Sequence, residues 1–245
     1  LALNTRPDIL FQCISATSNI RKVKGVFLIN KIVRYLKHTG PKDILYRPFT
    51  SRSHLNLVIY CDASFPSSTE KRAYIGYLIC LCDATTEADP HDLTKRRDLP
   101  AHLLHWHCSI CRRATHNTLC AEAYAMLPAL DSGHCIFQQV GSMYTDFTIC
   151  FHIISDCMSL IRLILAANPQ PEEKKLLPTI LKLRETILEQ SRKRVWHIPG
   201  NLNPTDSFTK CSAKGQKALV DMLTSGTIDG GVLKNIVVPV DLDAV

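Results

Sequence analysis

Four acidic residues spread along the chain, Asp62, Glu122, Asp156 and Asp206, are the ones best placed to do chemistry. Asp62 closes the apolar run 55–61, and Asp156 closes a second, 147–155. Glu122 lies in a helical stretch between them, and Asp206 follows Asn203-Pro204-Thr205. Hydrolysis of a phosphodiester needs an activated water, a stabilised pentacoordinate phosphorus and a stabilised leaving oxygen. Two Mg²⁺ ions about 3.5–4 Å apart supply all three. Mg²⁺ prefers hard oxygen ligands and keeps several waters, so about four carboxylates suffice for the pair. If Asp62 and Asp156 end adjacent strands, their side chains come within bridging distance, and without metal such crowding raises their pKa values. Each acid also has a plainer reading. Asp62 fits a polar strand end, Glu122 an exposed helix position, and Asp156 a cap for a helix at 157–167. Asp206 fits the third position after a cap at Asn203, where a negative charge suits the helix dipole. Only as a set do they point to a nuclease.

The remaining composition is compatible with that chemistry. The chain has 245 residues, enough for one large or two modest domains. No apolar run approaches the ~20 residues a membrane span needs, so no membrane partner is expected. The net charge of +7 is uneven: residues 1–60 hold 10 Lys/Arg against Asp8 and Asp43, a balance of +8 that leaves the remainder near −1. A basic front on a carboxylate-bearing body suits a polyanion, although a solvated helix face explains the charge equally well. The 11 Cys are odd in number and mostly sit in apolar runs. Reduced, buried thiols in an intracellular protein are the expectation. The chain does not begin with Met and shows no signal peptide, as expected of a piece of something longer.

Positioning these acids requires strands and helices in alternation. Residues 1–50 read as helical, with a start at Thr5-Arg6-Pro7-Asp8. A second helix from Val23 puts Val26, Ile29, Val33 and Leu36 on one side and Lys24, Lys31, Arg34 and Lys37 largely on another, and stops at Gly40-Pro41. Strands are expected at 55–62, 74–82, 102–108, 147–155 and 194–198. Helices are expected at 117–130, 157–167, 172–190, just after Asn203, and at 215–224. Residues 83–100 are charged and poor in apolar side chains, and read as a surface insertion in a hairpin. Pro128 and Pro178 mark kinks or boundaries. Residues 226–245 read as a tail without a place. The fold class is α/β: a mixed five-stranded sheet with flanking helices, preceded by a helical segment.

The residues around the acids resemble the ribonuclease H domain of a Copia-type LTR-retrotransposon Pol polyprotein. The matching pieces are Tyr60-Cys61-Asp62-Ala63-Ser64, Cys120-Ala121-Glu122-Ala123-Tyr124, Ser155-Asp156 and Pro171-Glu172-Glu173-Lys174-Lys175-Leu176. The strongest is Trp196-His197-Ile198-Pro199-Gly200 followed by Asn203-Pro204-Thr205-Asp206-Ser207-Phe208-Thr209-Lys210. Upstream, Thr5-Arg6-Pro7-Asp8-Ile9 and Arg34-Tyr35-Leu36-Lys37-His38-Thr39 are similar to the end of the reverse transcriptase that precedes it.

The likeness covers residues 4–212 and implies an RNase H fold. It divides the chain into a reverse-transcriptase remnant at 1–50, an RNase H-like domain at 55–212, and a C-terminal helix and tail at 213–245. It further implies endonucleolytic cleavage of the RNA strand of RNA–DNA hybrids. Asp62, Glu122, Asp156 and Asp206 match the metal-binding catalytic acids, holding two Mg²⁺, or Mn²⁺ in its place. The expected partners are the hybrid, read by its 2′-hydroxyls and shape, and the upstream reverse transcriptase portion of the same polyprotein. Lys71, Arg72, Arg112, Arg113 and Lys210 are candidate phosphate contacts. An intracellular site follows, in a cytoplasmic virus-like particle or the nucleus. The polymerase acids and the His that some relatives carry before the last acid are absent.

Two other readings stay open. One is an inactive remnant that binds nucleic acid through its basic front. The other is a zinc-knuckle-like module at Cys108-x2-Cys111-x4-His116-x3-Cys120, whose last spacing is one residue short and whose loop lacks Gly.

Overall fold

The computed structural model describes residues 1–40, 42–65, 72–188, 193–211 and 213–235. The chain order is α1 (Leu10–Ser18), α2 (Val23–Thr39), β1 (His54–Ser64), β2 (Tyr74–Cys82), β3 (Leu99–Ile110), α3 (Thr118–Met143) and β4 (Thr148–Ser155). There follow α4 (Met158–Leu165), α5 (Leu177–Leu188), β5 (Lys193–His197), α6 (Asp206–Thr209), α7 (Ala213–Ser225), β6 (Thr227–Ile228) and β7 (Lys234–Asn235). β1 is buried along almost its whole length, which an apolar run covered on both faces requires of a central strand. It pairs antiparallel with β2 and parallel with β4; β2 pairs antiparallel with β3, and β4 pairs parallel with β5. The expected α/β class, a mixed sheet with flanking helices preceded by a helical segment, is the observed one.

The expected five strands form the body of the sheet, but the full order is β6-β3-β2-β1-β4-β5-β7. The two extra edge strands have two residues each and come from the segment that read as an unplaced tail. Their brevity hides them from any pattern of period two. Residues 236–245 of that tail lie outside the described part.

Because β1 and β4 are covered on both sides, each face of the sheet has its own core. One joins Leu57, Ile59 and Phe151 to Met126 and Leu130 of α3, Ile161 of α4 and Leu183 of α5. The other joins Val58, Tyr60, Leu78 and Trp196 to Leu10 and Phe11 of α1, Phe208 of α6 and Leu219 of α7. The burial of Leu10 and Phe11 ties the front of the chain to the sheet. Pro178 is the second residue of α5, where its missing N–H costs nothing, so the expected helix start at 172 is corrected to Leu177 after a short 3-10 turn.

Residues 83–100 are not a loose surface loop. Leu93 and Leu99 are fully buried. The Asp83 carboxylate accepts from the Thr50 and Ser51 backbone N–H groups. Asn56, at the opposite end of β1 from Asp62, donates through Nδ2 to the carbonyls of Asp83 and Pro90. Its Oδ1 accepts from the His91 and His152 rings at 2.8 and 2.9 Å. One buried amide therefore pins the insertion to the sheet.

The Thr5-Arg6-Pro7-Asp8 piece also has a structural job. Arg6 and Asp8 form a buried ion pair at 2.9 Å. Arg6 donates further to the Gly40 carbonyl and the Thr39 hydroxyl, and Tyr35 Oη donates to Asp8 Oδ2 at 2.8 Å. Burial opposes the Asp8 charge, but the Arg6 and Tyr35 hydrogen bonds outweigh it and hold the carboxyl below its ordinary pKa. Removing one partner strands a buried charge. Asp8→Ala is expected to lower the unfolding free energy by about 3 kcal/mol, measured by urea denaturation at neutral pH. Asp8 is depressed in the folded state, so its contribution fades as pH falls through the folded pKa.

Candidate active site: a buried carboxylate cluster

Asp62 lies near the end of β1 and Asp156 directly follows the neighbouring β4, as adjacent parallel strands dictate. Glu122 comes from the second turn of α3, whose start is capped by Asn117 Oδ1 accepting from the Cys120 N–H at 2.8 Å. One oxygen from each of Asp62, Glu122 and Asp156 lies within 4.8 Å of the others. Asp206 opens α6 close by: its charge acts on Asp62 and Asp156, and its own carboxylate is ion-paired to Lys210.

Burial removes the plainer readings of these acids. Asp62 is 1% exposed, Glu122 4% and Asp206 4%. The residue preceding α4 is Cys157, with no side-chain cap, and Asp156 Oδ1 has no hydrogen-bond partner. Asp206 is the first residue of α6, while Asn203 Oδ1 accepts from the Thr205 N–H and hydroxyl instead of capping that helix. Glu122 accepts from the Ala63 N–H, yet its Oε2 also lacks a partner.

Such crowding changes the proton affinities. Burial, then the Asp156 charge, lifts the Asp62 carboxyl to about 7 against pulls from Lys210 and the Thr209 hydroxyl. Burial together with Asp62 and Asp156 pushes Glu122 well above its ordinary value, and burial raises Asp156. Burial also works against the Lys210 charge, but Asp62 and Asp206 outweigh it and raise that pKa. Two buried carboxylate oxygens without partners, inside a set of hard anionic donors, fit a small divalent cation. Opposite ligands of one Mg²⁺ stand ~4.2 Å apart at its ~2.1 Å bond length, so oxygens within 4.8 Å of one another need at most a small inward adjustment to share one ion.

Several residues not singled out from the sequence hold the acids in place. The Thr209 hydroxyl donates to Asp62 Oδ2. Asn203 Nδ2 donates to the Cys61 carbonyl at 3.2 Å, fastening the segment before Asp206 to β1. Two glycines leave room for carboxylates: a Cβ on Gly200 would sit 2.7 Å from Asp156 Oδ2, and one on Gly215 would sit 2.5 Å from Asp206 Oδ2. The quoted motif already contained Thr209, Asn203 and Gly200, whereas nothing local in the sequence marks Gly215.

The candidate phosphate contacts fall in different places. Lys210 is half exposed and borders the carboxylate cleft, together with Phe65 and Thr118. Arg112 and Arg113 are exposed on a neighbouring groove lined also by His107 and Tyr124, with the Arg113 guanidinium 5.0 Å from the Tyr124 ring centre. Arg72 is exposed two residues before β2, and Lys71 lies outside the described residues.

The zinc reading finds no cluster among the described residues. Cys108 Sγ donates to the Phe208 carbonyl, Cys120 Sγ to Glu173 and Cys111 Sγ to the Arg113 carbonyl. A different group, His91, Cys150 and His152, does lie together. There the Trp196 Nε1–H donates to His152 Nδ1, which places the His152 proton on Nε2, facing Asn56. That ring keeps no lone pair for a metal.

No family model and no curated protein matches the chain. Among solved structures it is similar to RNase H1 from the halophilic archaeon Halobacterium salinarum, with 15% identity, 68% of this chain and 98% of that one covered, and a TM-score of 0.43. LC11-RNase H1 in complex with an RNA/DNA hybrid shows 19% identity over 62% of this chain and 93% of that one, with a TM-score of 0.42. A foamy viral protease-reverse transcriptase in complex with double-stranded DNA shows 14% identity over 70% and 93%, with a TM-score of 0.39.

Two outcomes follow from this geometry. With a folded pKa of about 7 against an ordinary 3.8, Asp62 stabilises the metal-free fold fully only below the lower value, and that contribution disappears as pH rises through 7. In EDTA at pH 7.5, Asp62→Asn should therefore melt at least about 2 °C above the parent, and Mg²⁺ should raise the melting temperature of the parent but not of the variant. Gly215→Ala normally stabilises a helix, but here the added methyl meets Asp206. It should stay folded and lose roughly tenfold in Mn²⁺ affinity by calorimetry, as displaced ligand surroundings do.

Proposed function

We propose that this chain is a Mg²⁺-dependent endonuclease that hydrolyses the RNA strand of RNA–DNA hybrids, as part of a Copia-type retrotransposon reverse-transcription polyprotein. One observation carries the reading: three carboxylates from separate elements within 4.8 Å of one another, Asp62 and Glu122 buried and Asp156 partly so, with two oxygens that nothing among the described residues satisfies. Such an arrangement is costly unless cations occupy it. The ordered motifs around those acids support the same conclusion.

In this reading Asp62, Glu122, Asp156 and Asp206 hold two Mg²⁺ ions, or Mn²⁺, which supply the activated water and the Lewis acidity at phosphorus and the leaving oxygen. Asp62, braced by Thr209, and Asp156, over Gly200, fix the ligand positions from the sheet. Glu122 approaches from α3, held by the Ala63 N–H. Lys210 balances part of the negative charge before substrate arrives. Arg72, Arg112, Arg113 and Lys71 are proposed to hold backbone phosphates. The accompanying organisation is a reverse-transcriptase end at 1–50, an RNase H-like domain at 55–212 and a C-terminal helix and tail at 213–245. The proposed partner is the upstream polymerase portion, in a cytoplasmic particle or the nucleus. No helix among the described residues is long and apolar enough to cross a membrane.

The test is a labelled RNA–DNA hybrid incubated with Mg²⁺. Cleavage confined to the RNA strand is expected, absent in EDTA and reduced at least about a thousandfold in Asp156→Asn, since removing a metal ligand forfeits charge stabilisation worth several kcal/mol. Equal cutting by parent and variant would identify a contaminant and sink the assignment.

A further inference from the structure

We infer that the outer face of α2 binds single-stranded nucleic acid, at a surface separate from the carboxylate cleft. Between Asp8 and Asp43 the chain has no acidic residue and seven Lys/Arg. Within α2, Lys24, Phe27, Lys31, Arg34 and His38 follow the spacing i, i+3, i+7, i+10 and i+14, which aligns them on one side of the helix. All five are exposed, while Leu28, Ile32, Tyr35 and Leu36 turn inward. The stripe extends 14 residues, about 21 Å at a rise of 1.5 Å per residue.

Phe27 decides which polyanion suits this stripe. It is 68% exposed, flanked by cations one turn away in both directions. A ring in that setting offers a face for a base to stack on while Lys31 and Arg34 meet the adjacent phosphates, the combination by which sequence-tolerant proteins hold single strands. A duplex keeps its base faces stacked internally and cannot use such a ring. The platform is also rigid, because the end of α2 is fastened by the Tyr35 hydrogen bond to Asp8 and by the Arg6 bonds to Thr39 and Gly40. Val26, Ile29 and Val33 form a second exposed stripe between this face and the inward side. An anionic lipid surface is the competing occupant that those apolar residues define.

The carboxylate cleft contains no residue of α2, so binding can be measured in EDTA, without catalysis. The probe is a fluorescent 20-nucleotide oligo-dT titrated with the full chain between 50 and 200 mM salt. Lys31→Ala with Arg34→Ala should lower the slope of log K against log salt by about 1.4, at ~0.7 per phosphate contact in a single strand. Phe27→Ala should weaken binding about tenfold and leave the slope unchanged, as loss of one stacked base does. Parent-like oligo-dT binding by both variants overturns the inference. So does a variant-sensitive interaction with phosphatidylserine vesicles that leaves oligo-dT binding intact. Hybrid cleavage with unchanged oligo-dT binding removes this inference alone; loss of oligo-dT binding in the variants, without hybrid cleavage by the parent, removes only the nuclease assignment.

Discussion

Mutual repulsion of acids placed out of water is the constraint that the rest of this fold must overcome. Asp62, Glu122 and Asp156 sit within 4.8 Å of one another, the first two almost removed from solvent and the third half-buried. Inside a protein each would shed its charge unless something compensates. Local structure does not provide the compensation, because β1, α3 and β4 each contribute one acid and each pays for that position elsewhere. The two apolar cores on the faces of the sheet supply the binding that holds those elements together. Leu57 and Ile59 face one core and Val58 and Tyr60 the other, so β1 is gripped from both sides just before it delivers Asp62.

The opposite end of the same strand shows what a buried polar cluster looks like when it is complete. Asn56 uses both amide hydrogens and its oxygen, and His152 uses both ring nitrogens, between Asn56 and Trp196. Burial drives the His152 pKa well below its ordinary value, which keeps that ring neutral. Every donor there finds an acceptor, so the cluster rigidifies the junction of β1, β4, β5 and the 83–100 segment. The carboxylate end has the reverse character, with acceptors in excess and oxygens left over. One strand thus carries a closed polar network at its start and an open one near its end, and only the open one calls for a ligand from outside.

The legible parts of the sequence were those in which one residue's environment follows from its immediate neighbours. An acid terminating an apolar run marks a strand leaving the core, which placed Asp62 and Asp156 and with them the centre of the sheet. The sequence marks the helix of Glu122 but ends it at 130, near the kink or boundary expected of Pro128, whereas it runs through that proline to Met143. Gly133 is there for closeness: a Cβ would collide with Ile59 Cδ1, so the helix runs on against the strand through a glycine that sequence rules count as a weakness. Residues 83–100 looked like solvent-exposed loop because their burial depends on Asn56 and on the backbone around Gly230, far away in the chain. Gly215 was invisible for the same reason, since its neighbour Asp206 is set by the packing of α7 on α6.

Asp206 differs from the other three acids in a way that clarifies how such a site exists before any cation arrives. It lies on a four-residue helix after the last long strand, and its partner Lys210, one turn on, is half exposed. Among the described residues the deeper acids form no ion pair; Lys210 reaches them through its field, lowering the proton affinity of Asp62, Glu122 and Asp156 together. A cation tethered by a flexible stem and open to water lends charge to the cluster without filling it. The two unpartnered oxygens, on Glu122 and Asp156, are left open by the lysine, whose ammonium pairs with Asp206. Partial neutralisation by a half-exposed side chain thus permits the fold to assemble around carboxylate oxygens that the described residues leave unsatisfied.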